Sequence, residues 1–383
     1  MTRIDHPGVR RMKPFADTIF ATMTARANEF DAINLGQGFP DWDGPQRMLE
    51  IAQEQIARGN NQYAPARGFP SLREAISRQR SRRYGQTYDP ATEILVTVGA
   101  TEALAASVLG LVEPGNDVIV FEPYYDAYVA DIAIADANRL TVPLVPDGDT
   151  WAIDTTAFED AITDKTALVI VNTPHNPTGA VLDLTEFSRI CVEHDLIVIS
   201  DEAYEYLTFD GIEHKPTASY PGMRDRTITI GSAAKTFAVT GWKTGWALAP
   251  APLIDAIARV KQFMSFVGMS AVQPAVAYAL DNEESVITEQ TRMLQTNRDM
   301  LSTTLLDAGL NPHSSNGTYF LIADAHTDAT NFCMDLPRTH GIAAVPVSAF
   351  TDAIEPWNTQ VRFSFAKSPA VIEKAARRLS KGF

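Results

Sequence analysis

Residues 167–204 read ALVIVNTPHNPTGAVLDLTEFSRICVEHDLIVISDEAY. Two short runs, ALVIV at 167–171 and LIVIS at 196–200, flank a segment of helical pattern at 184–194. Strands that are apolar at nearly every position are buried on both faces, as in a parallel sheet covered by helices. The alternation extends outward in both directions. EILVTV (93–98), DVIVF (117–121) and TITIG (227–231) read as further strands, and 101–113, 124–136 and 253–265 as helices. The expected class is therefore α/β.

Beyond residue 270 the pattern changes. Residues 271–309 read as one long helical stretch, of a length that commonly bridges two domains. Strand patterns follow at 317–323, 342–347 and 360–365, then a closing helix near 369–381, an α+β tail. The opening segment 1–45 is rich in turn residues and does not read as part of the α/β sheet. The division expected is a large domain over 46–280 and a smaller one made of 1–45 and 281–383.

Composition narrows the function classes. The 383 residues are 45% hydrophobic and 21% charged, ordinary for a globular chain, with a net charge of −15. So acidic a surface repels phosphate backbones, which argues against nucleic acid as a partner. The two cysteines, Cys191 and Cys333, make no disulfide framework and read as packed apolar residues in a reducing cytoplasm. The N-terminal MTRIDHPGVRRMKPF lacks the apolar core of a signal peptide. No run approaches the ~20 apolar residues of a membrane span.

In open α/β sheets ligands bind at the carboxyl ends of the strands. After 93–98 comes Gly99-Ala100-Thr101, and after 167–171 comes Asn172-Thr173-Pro174-His175-Asn176-Pro177-Thr178-Gly179. After 196–200 comes Asp201-Glu202-Ala203-Tyr204, and after 227–231 comes Ser232-Ala233-Ala234-Lys235. Each has a plain structural reading. Asp201 could cap a helix, Lys235 could be solvated, Gly99-Ala100-Thr101 and the NPTG stretch could be turns, and Tyr124, Tyr125 and Tyr128 could be core or interface aromatics. Their joint order at one sheet edge fits a single chemistry, that of pyridoxal 5′-phosphate (PLP). PLP needs a lysine to attach it, a carboxylate to keep its pyridine nitrogen protonated, donors to its O3′, an aromatic face, and a helix N-terminus with a cation for its phosphate. An arginine would clamp the substrate carboxylate.

At INLGQGFPD, NQYAPARGFPSLR, ILVTVGATEAL, FEPYYDAY, NTPHNPTGAV, SDEAYEYLTFD, TIGSAAKTFAVTGWKTGW, GTYFLIAD and VRFSFA, the chain resembles the class I/II, fold type I PLP aminotransferases. It looks most like the branch holding kynurenine, glutamine and methionine aminotransferases and actinobacterial N-succinyldiaminopimelate aminotransferases. The resemblance implies a large domain with a mostly parallel seven-stranded sheet plus a small α+β domain. It implies that Lys235 carries PLP as a Schiff base and shuttles protons, that Asp201 pairs with the pyridine nitrogen, and that Asn176 and Tyr204 donate to O3′. Tyr125 would stack on the ring, and Gly99, Ala100, Thr101, Ser232 and Lys243 would hold the phosphate. Tyr63 would reach the phosphate in a neighbouring subunit, which makes a homodimer the expected assembly. Arg362 would bind the substrate carboxylate beside Gly36, with Asn172 supporting the pocket.

Two positions depart from the wider class. Lys243 stands where an arginine is usual, as in the kynurenine branch, and Ser200 with Glu202-Ala203 replaces the commoner Thr and Val. The resemblance implies ping-pong exchange between an amino acid, with glutamate as donor, and a 2-oxo acid. The best match is N-succinyldiaminopimelate aminotransferase of lysine biosynthesis. A long dicarboxylate would need a second cation, for which Arg67 is the candidate. The alternative is a kynurenine, glutamine or methionine type, with Phe266, Tyr125 and Tyr128 lining the pocket and cysteine-conjugate β-elimination as a side reaction. A PLP-sensing regulatory domain would need a basic helix-turn-helix of ~60 residues ahead of NLGQGFP, where about 30 residues stand. The turn-rich opening segment fits a lid over the substrate.

Overall fold

The computed structural model describes residues 9–15 and 18–382. The first eight residues of the N-terminal stretch, and with them part of the signal-peptide and lid readings, lie outside these. The strands in chain order are β1 (Ile33–Asn34), β2 (Ile94–Val98), β3 (Asp117–Glu122), β4 (Asn138–Asp147), β5 (Thr150–Ile153), β6 (Thr166–Asn172), β7 (Ile197–Asp201), β8 (Thr227–Ser232), β9 (Thr244–Leu248), β10 (Asn311–Pro312), β11 (Phe320–Asp324), β12 (Ile342–Ala343), β13 (Val345–Pro346) and β14 (Gln360–Ser364). Eight of them form one sheet in the order β2-β9-β8-β7-β6-β3-β4-β5.

Parallel pairing runs through β8, β7, β6, β3 and β4, while β9 is antiparallel to both its neighbours. The seven strands expected are present, and β5 adds an eighth as a hairpin on the protruding end of β4. Strand burial explains the sequence pattern. Val118 and Val120 face one helical layer with Leu104 and Ile254, and Ile119 and Phe121 face the other with Phe187 and Ile190. Every side chain of β3 is buried, so no polar alternation could survive.

The C-terminal residues build an antiparallel sheet, β10-β11-β14-β13. Helix Glu284–Asp307 packs Leu294, Leu301 and Leu305 into the same core as Phe363, and helix Ile19–Glu29 adds Met23 and Ala27. Strand β1 pairs in parallel with β12, Ile33 opposite Ile342, so the N-terminal segment is bound to the C-terminal part. The long helical stretch expected at 271–309 is two helices, Gln273–Asn282 and Glu284–Asp307. The break falls at Glu283, within Asp281-Asn282-Glu283-Glu284. Short polar side chains favour helix ends, and Glu284 in the first turn complements the new N-terminus. Among the described residues no helix is long and apolar enough to cross a membrane.

Candidate active site

The carboxyl ends of β2, β6, β7 and β8 open into a cavity of about 370 Å³. Gly99, Ala100, Thr101, Tyr125, Asn172, Asn176, Asp201, Tyr204, Ser232, Lys235, Lys243 and Arg362 all line it. Residues scattered over more than 260 positions of sequence meet there because parallel strands bring their ends to one edge.

Lys235 stands in the single turn Ala233–Thr236 that follows β8. Its Nζ lies 5.9 Å from the centre of the Tyr204 ring and 5.5 Å from that of Tyr319. Asp201 ends β7 and is buried. Its Oδ2 accepts from the Tyr128 hydroxyl at 2.7 Å and its Oδ1 from the Ala203 amide at 3.1 Å. Burial pushes the Asp201 carboxyl above its ordinary pKa, against Tyr128, the Ala203 amide and Lys235. Burial likewise lifts the Tyr204 hydroxyl well above its usual value, so it stays a donor.

Asn172 spends its side chain on backbone. Its Nδ2 donates to the Asp201 carbonyl at 2.8 Å and its Oδ1 accepts from the Asn176 amide at 2.8 Å. It thereby joins the ends of β6 and β7. Asn176 Oδ1 accepts from Arg362 Nη1 at 3.1 Å, which leaves its own NH₂ to donate. Arg362 Nη2 donates to the Gly36 carbonyl at 2.6 Å. The guanidinium sits 4.1 Å from the Phe320 ring centre, 5.1 Å from Phe350 and 5.2 Å from Phe20. Its buried Nε has no hydrogen-bond partner. Burial lowers Arg362 to about 10, so it remains a cation at neutral pH.

The phosphate end is built differently. Helix Gly99–Leu111 begins with Gly99 at φ +75°. A Cβ added there would lie 3.4 Å from Lys243 Nζ, so the ammonium stands beside the helix N-terminus. Ser232, which caps the Lys235 turn, also faces the cavity. A helix N-terminus with an adjoining cation and hydroxyl has the donors that suit an anion.

Four expected residues lie outside this lining. Gly36 reaches the cavity only through its carbonyl bond to Arg362. Tyr63 is 81% exposed and touches Phe266 edge-on at 5.4 Å, and neither lines the cavity of its own protomer. Arg67 does not line the cavity of its own protomer either. Its guanidinium pairs with Asp255 and bonds the Thr92 carbonyl at 3.2 Å, because helix Ala251–Met264 passes beside its loop. Conversely, Phe20, Gln37, Phe39 and Phe320 line the cavity without having been singled out. The last three fall inside the stretches INLGQGFPD and GTYFLIAD, so the motifs carried a signal, whereas Phe20 carried none.

The model for "Aminotransferase class I and II" matches residues 31–379. The chain belongs to the class I and II aminotransferases. It is 51% identical to a probable N-succinyldiaminopimelate aminotransferase of Mycobacterium tuberculosis, over 97% of this chain and 98% of that one. A solved N-succinyldiaminopimelate aminotransferase from Mycobacterium tuberculosis superposes with a TM-score of 0.96, covering 98% of this chain and 99% of that one. The methionine aminotransferase of Escherichia coli is 37% identical, over 96% and 97% of the two chains.

This aminotransferase is a PLP-dependent enzyme of fold type I. The residues present fit that cofactor: a buried carboxylate, a helix N-terminus with an adjoining ammonium, and a lysine lining the same cavity.

Proposed function

We propose that this aminotransferase acts on N-succinyldiaminopimelate, with glutamate as amino donor, as a cytoplasmic homodimer of lysine biosynthesis. The observation that carries the reading is 51% identity across nearly the whole chain to a probable enzyme of that name. PLP, when bound, accepts the electron pair left as a Cα–H bond of the substrate breaks.

The chain's own residues do the rest. Lys235 would attach the cofactor, and its freed amine would carry the proton from the substrate Cα to the cofactor's C4′ carbon. Asp201 would hold a proton on the pyridine nitrogen. Tyr204 and the Asn176 NH₂ would donate to O3′, and Tyr125 would cover the ring. The amides of Gly99, Ala100 and Thr101, the Ser232 hydroxyl and Lys243 would bind the phosphate. Arg362, already fixed by Asn176 and Gly36, offers its remaining donors to the substrate carboxylate. The exposed Tyr63 suits a role in a partner's site. The two lobes, 46–280 and 1–45 with 281–383, would hold cofactor and substrate between them.

A second reading rests on the cavity's aromatic lining. Phe20, Phe39 and Phe320 line it, and among the described residues its lining cations are Lys235, Lys243 and Arg362. With those three committed, aromatic or sulfur-bearing side chains of the kynurenine or methionine type also fit.

Absorption spectra of the purified holoenzyme separate these. The cofactor band should vanish on adding glutamate or N-succinyldiaminopimelate and return with a 2-oxo acid. A faster response to kynurenine or methionine would favour the second reading. Pyruvate and ammonia formed from a cysteine conjugate without an acceptor would reveal β-elimination. The Lys235→Ala variant should lose turnover, and full activity in it would overturn the lysine's assignment.

A further inference from the structure

The stretch Asp201–Glu205 faces two ways. Asp201 and Tyr204 line the cavity, while Glu202 and Glu205 are buried on the other side. Both carboxylates end on one guanidinium. Arg80, fully buried on helix Pro70–Tyr84, meets Glu202 Oε2 at 3.1 Å through Nη2 and Glu205 Oε2 at 2.7 Å through Nη1. Its Nε donates to Gln86 Oε1 at 3.0 Å. The other Glu202 oxygen accepts from Ser200 Oγ and the Thr217 amide, each at 3.0 Å, and His214 Nε2 lies 3.2 Å from Oε2. Arg83, Tyr84 and Tyr206 face Glu205.

Stability alone does not account for such a cluster. Buried ion pairs are often replaced by apolar groups at no loss, because desolvation offsets their attraction. What a forked cation does supply is orientation. Two carboxylates three residues apart, held by one rigid planar group, fix the rotation of the peptide segment that joins them. That segment carries Tyr204, and Asp201 immediately precedes it; these are the two groups proposed to meet the cofactor ring. The charge balance agrees. Burial would push Glu202 up, but Arg80 and then His214 overcome it and hold the carboxyl at about 2. A bare Glu202 charge would disfavour ionised Asp201, its sequence neighbour.

We propose that Arg80 is a positioning residue for transamination, acting through Glu202 and Glu205 to aim Asp201 and Tyr204 at the cofactor ring. It rests on the roles given above to Asp201 and Tyr204.

The test uses full-length holoenzyme in two variants. Arg80→Met with Glu202→Gln and Glu205→Gln removes the guanidinium and both carboxylates together, leaving neither carboxylate without its partner. Arg80→Lys keeps the charge and loses the fork. Both should retain cofactor, leave the KM for the amino acid near its original value because Arg362 is untouched, and slow the first half-reaction about tenfold to a hundredfold. The pH at which the bound cofactor's absorption changes should move as well. A merely structural Arg80 would lower the melting temperature and leave these readouts in place. Folded variants with the original half-reaction rate and absorption midpoint would overturn the proposal. An Asp201→Asn control tells the two failures apart. If it keeps full rate, the role of Asp201 falls and this proposal with it. If it loses rate while the Arg80 variants do not, only this proposal falls.

Discussion

Arg362 Nη1 donates to Asn176 Oδ1 at 3.1 Å, joining the antiparallel sheet to the loop after β6. A residue proposed to bind the substrate is thereby oriented by one proposed to face the cofactor. The guanidinium lies 4.1 Å from the Phe320 ring centre, and among the described residues its Nε has no hydrogen-bond partner.

Arg362→Lys should therefore weaken amino-acid binding without abolishing chemistry. A point charge cannot bond Asn176, Gly36 and a carboxylate together. Loss of one charged hydrogen bond costs about 2 kcal/mol, or roughly thirtyfold in KM. Steady-state kinetics check it, and an unchanged KM would count against the assignment.

Tyr128→Phe removes the 2.7 Å hydrogen bond to Asp201. That bond holds down a carboxyl that burial pushes up, so its loss lets the Asp201 pKa rise further. Ionised Asp201 then becomes scarcer as pH falls. The loss of kcat/KM should be about tenfold on the acid side of the profile and shrink toward alkaline pH. A loss equal at all pH values would contradict this.

Gly245→Ala places a Cβ 2.6 Å from the carbonyl carbon of Gly99 and 2.7 Å from the Ala100 amide nitrogen. Those atoms belong to the phosphate cradle, and backbone cannot step aside as a side chain can. Spectral titration of the cofactor-free variant should show PLP affinity down by about tenfold or more, with circular dichroism unchanged.

Asp131 is buried with an unpartnered Oδ2, and burial alone lifts it to about 7. A carboxyl raised in the folded state favours folding while protonated. That contribution is complete below its unfolded pKa near 4 and is lost as pH rises through 7. Asp131→Asn should raise the melting temperature at pH 8, by an effect of roughly 2–4 kcal/mol, and change it little at pH 4. Melting curves at the two pH values decide the matter.

The sequence made the cofactor side of this site readable and left the substrate side obscure. Asp201 and Lys235 follow runs of buried β-branched residues, so the rule of strand ends picks them out. Strand β9 escaped because TGWAL carries no β-branched run, and its Gly245 is set by contact with Gly99. Arg362 sits inside β14, where only family resemblance marks it, and Tyr128 looks like any core aromatic until Asp201 is placed beside it. The pairing of Arg67 with Asp255, 188 residues away in sequence, is one that no local pattern announces.

The pairing of Ile33 with Ile342 has a consequence for biosynthesis. All eight strands of the large sheet have been translated by residue 248, whereas β12 and β14 emerge more than 90 residues later. Gly36, made among the first, must wait for Arg362, made among the last, before their bond can form. A chain halted after helix Glu284–Asp307 but short of residue 362 would thus contain every cofactor ligand proposed for this protomer and lack the arginine proposed to bind the amino acid.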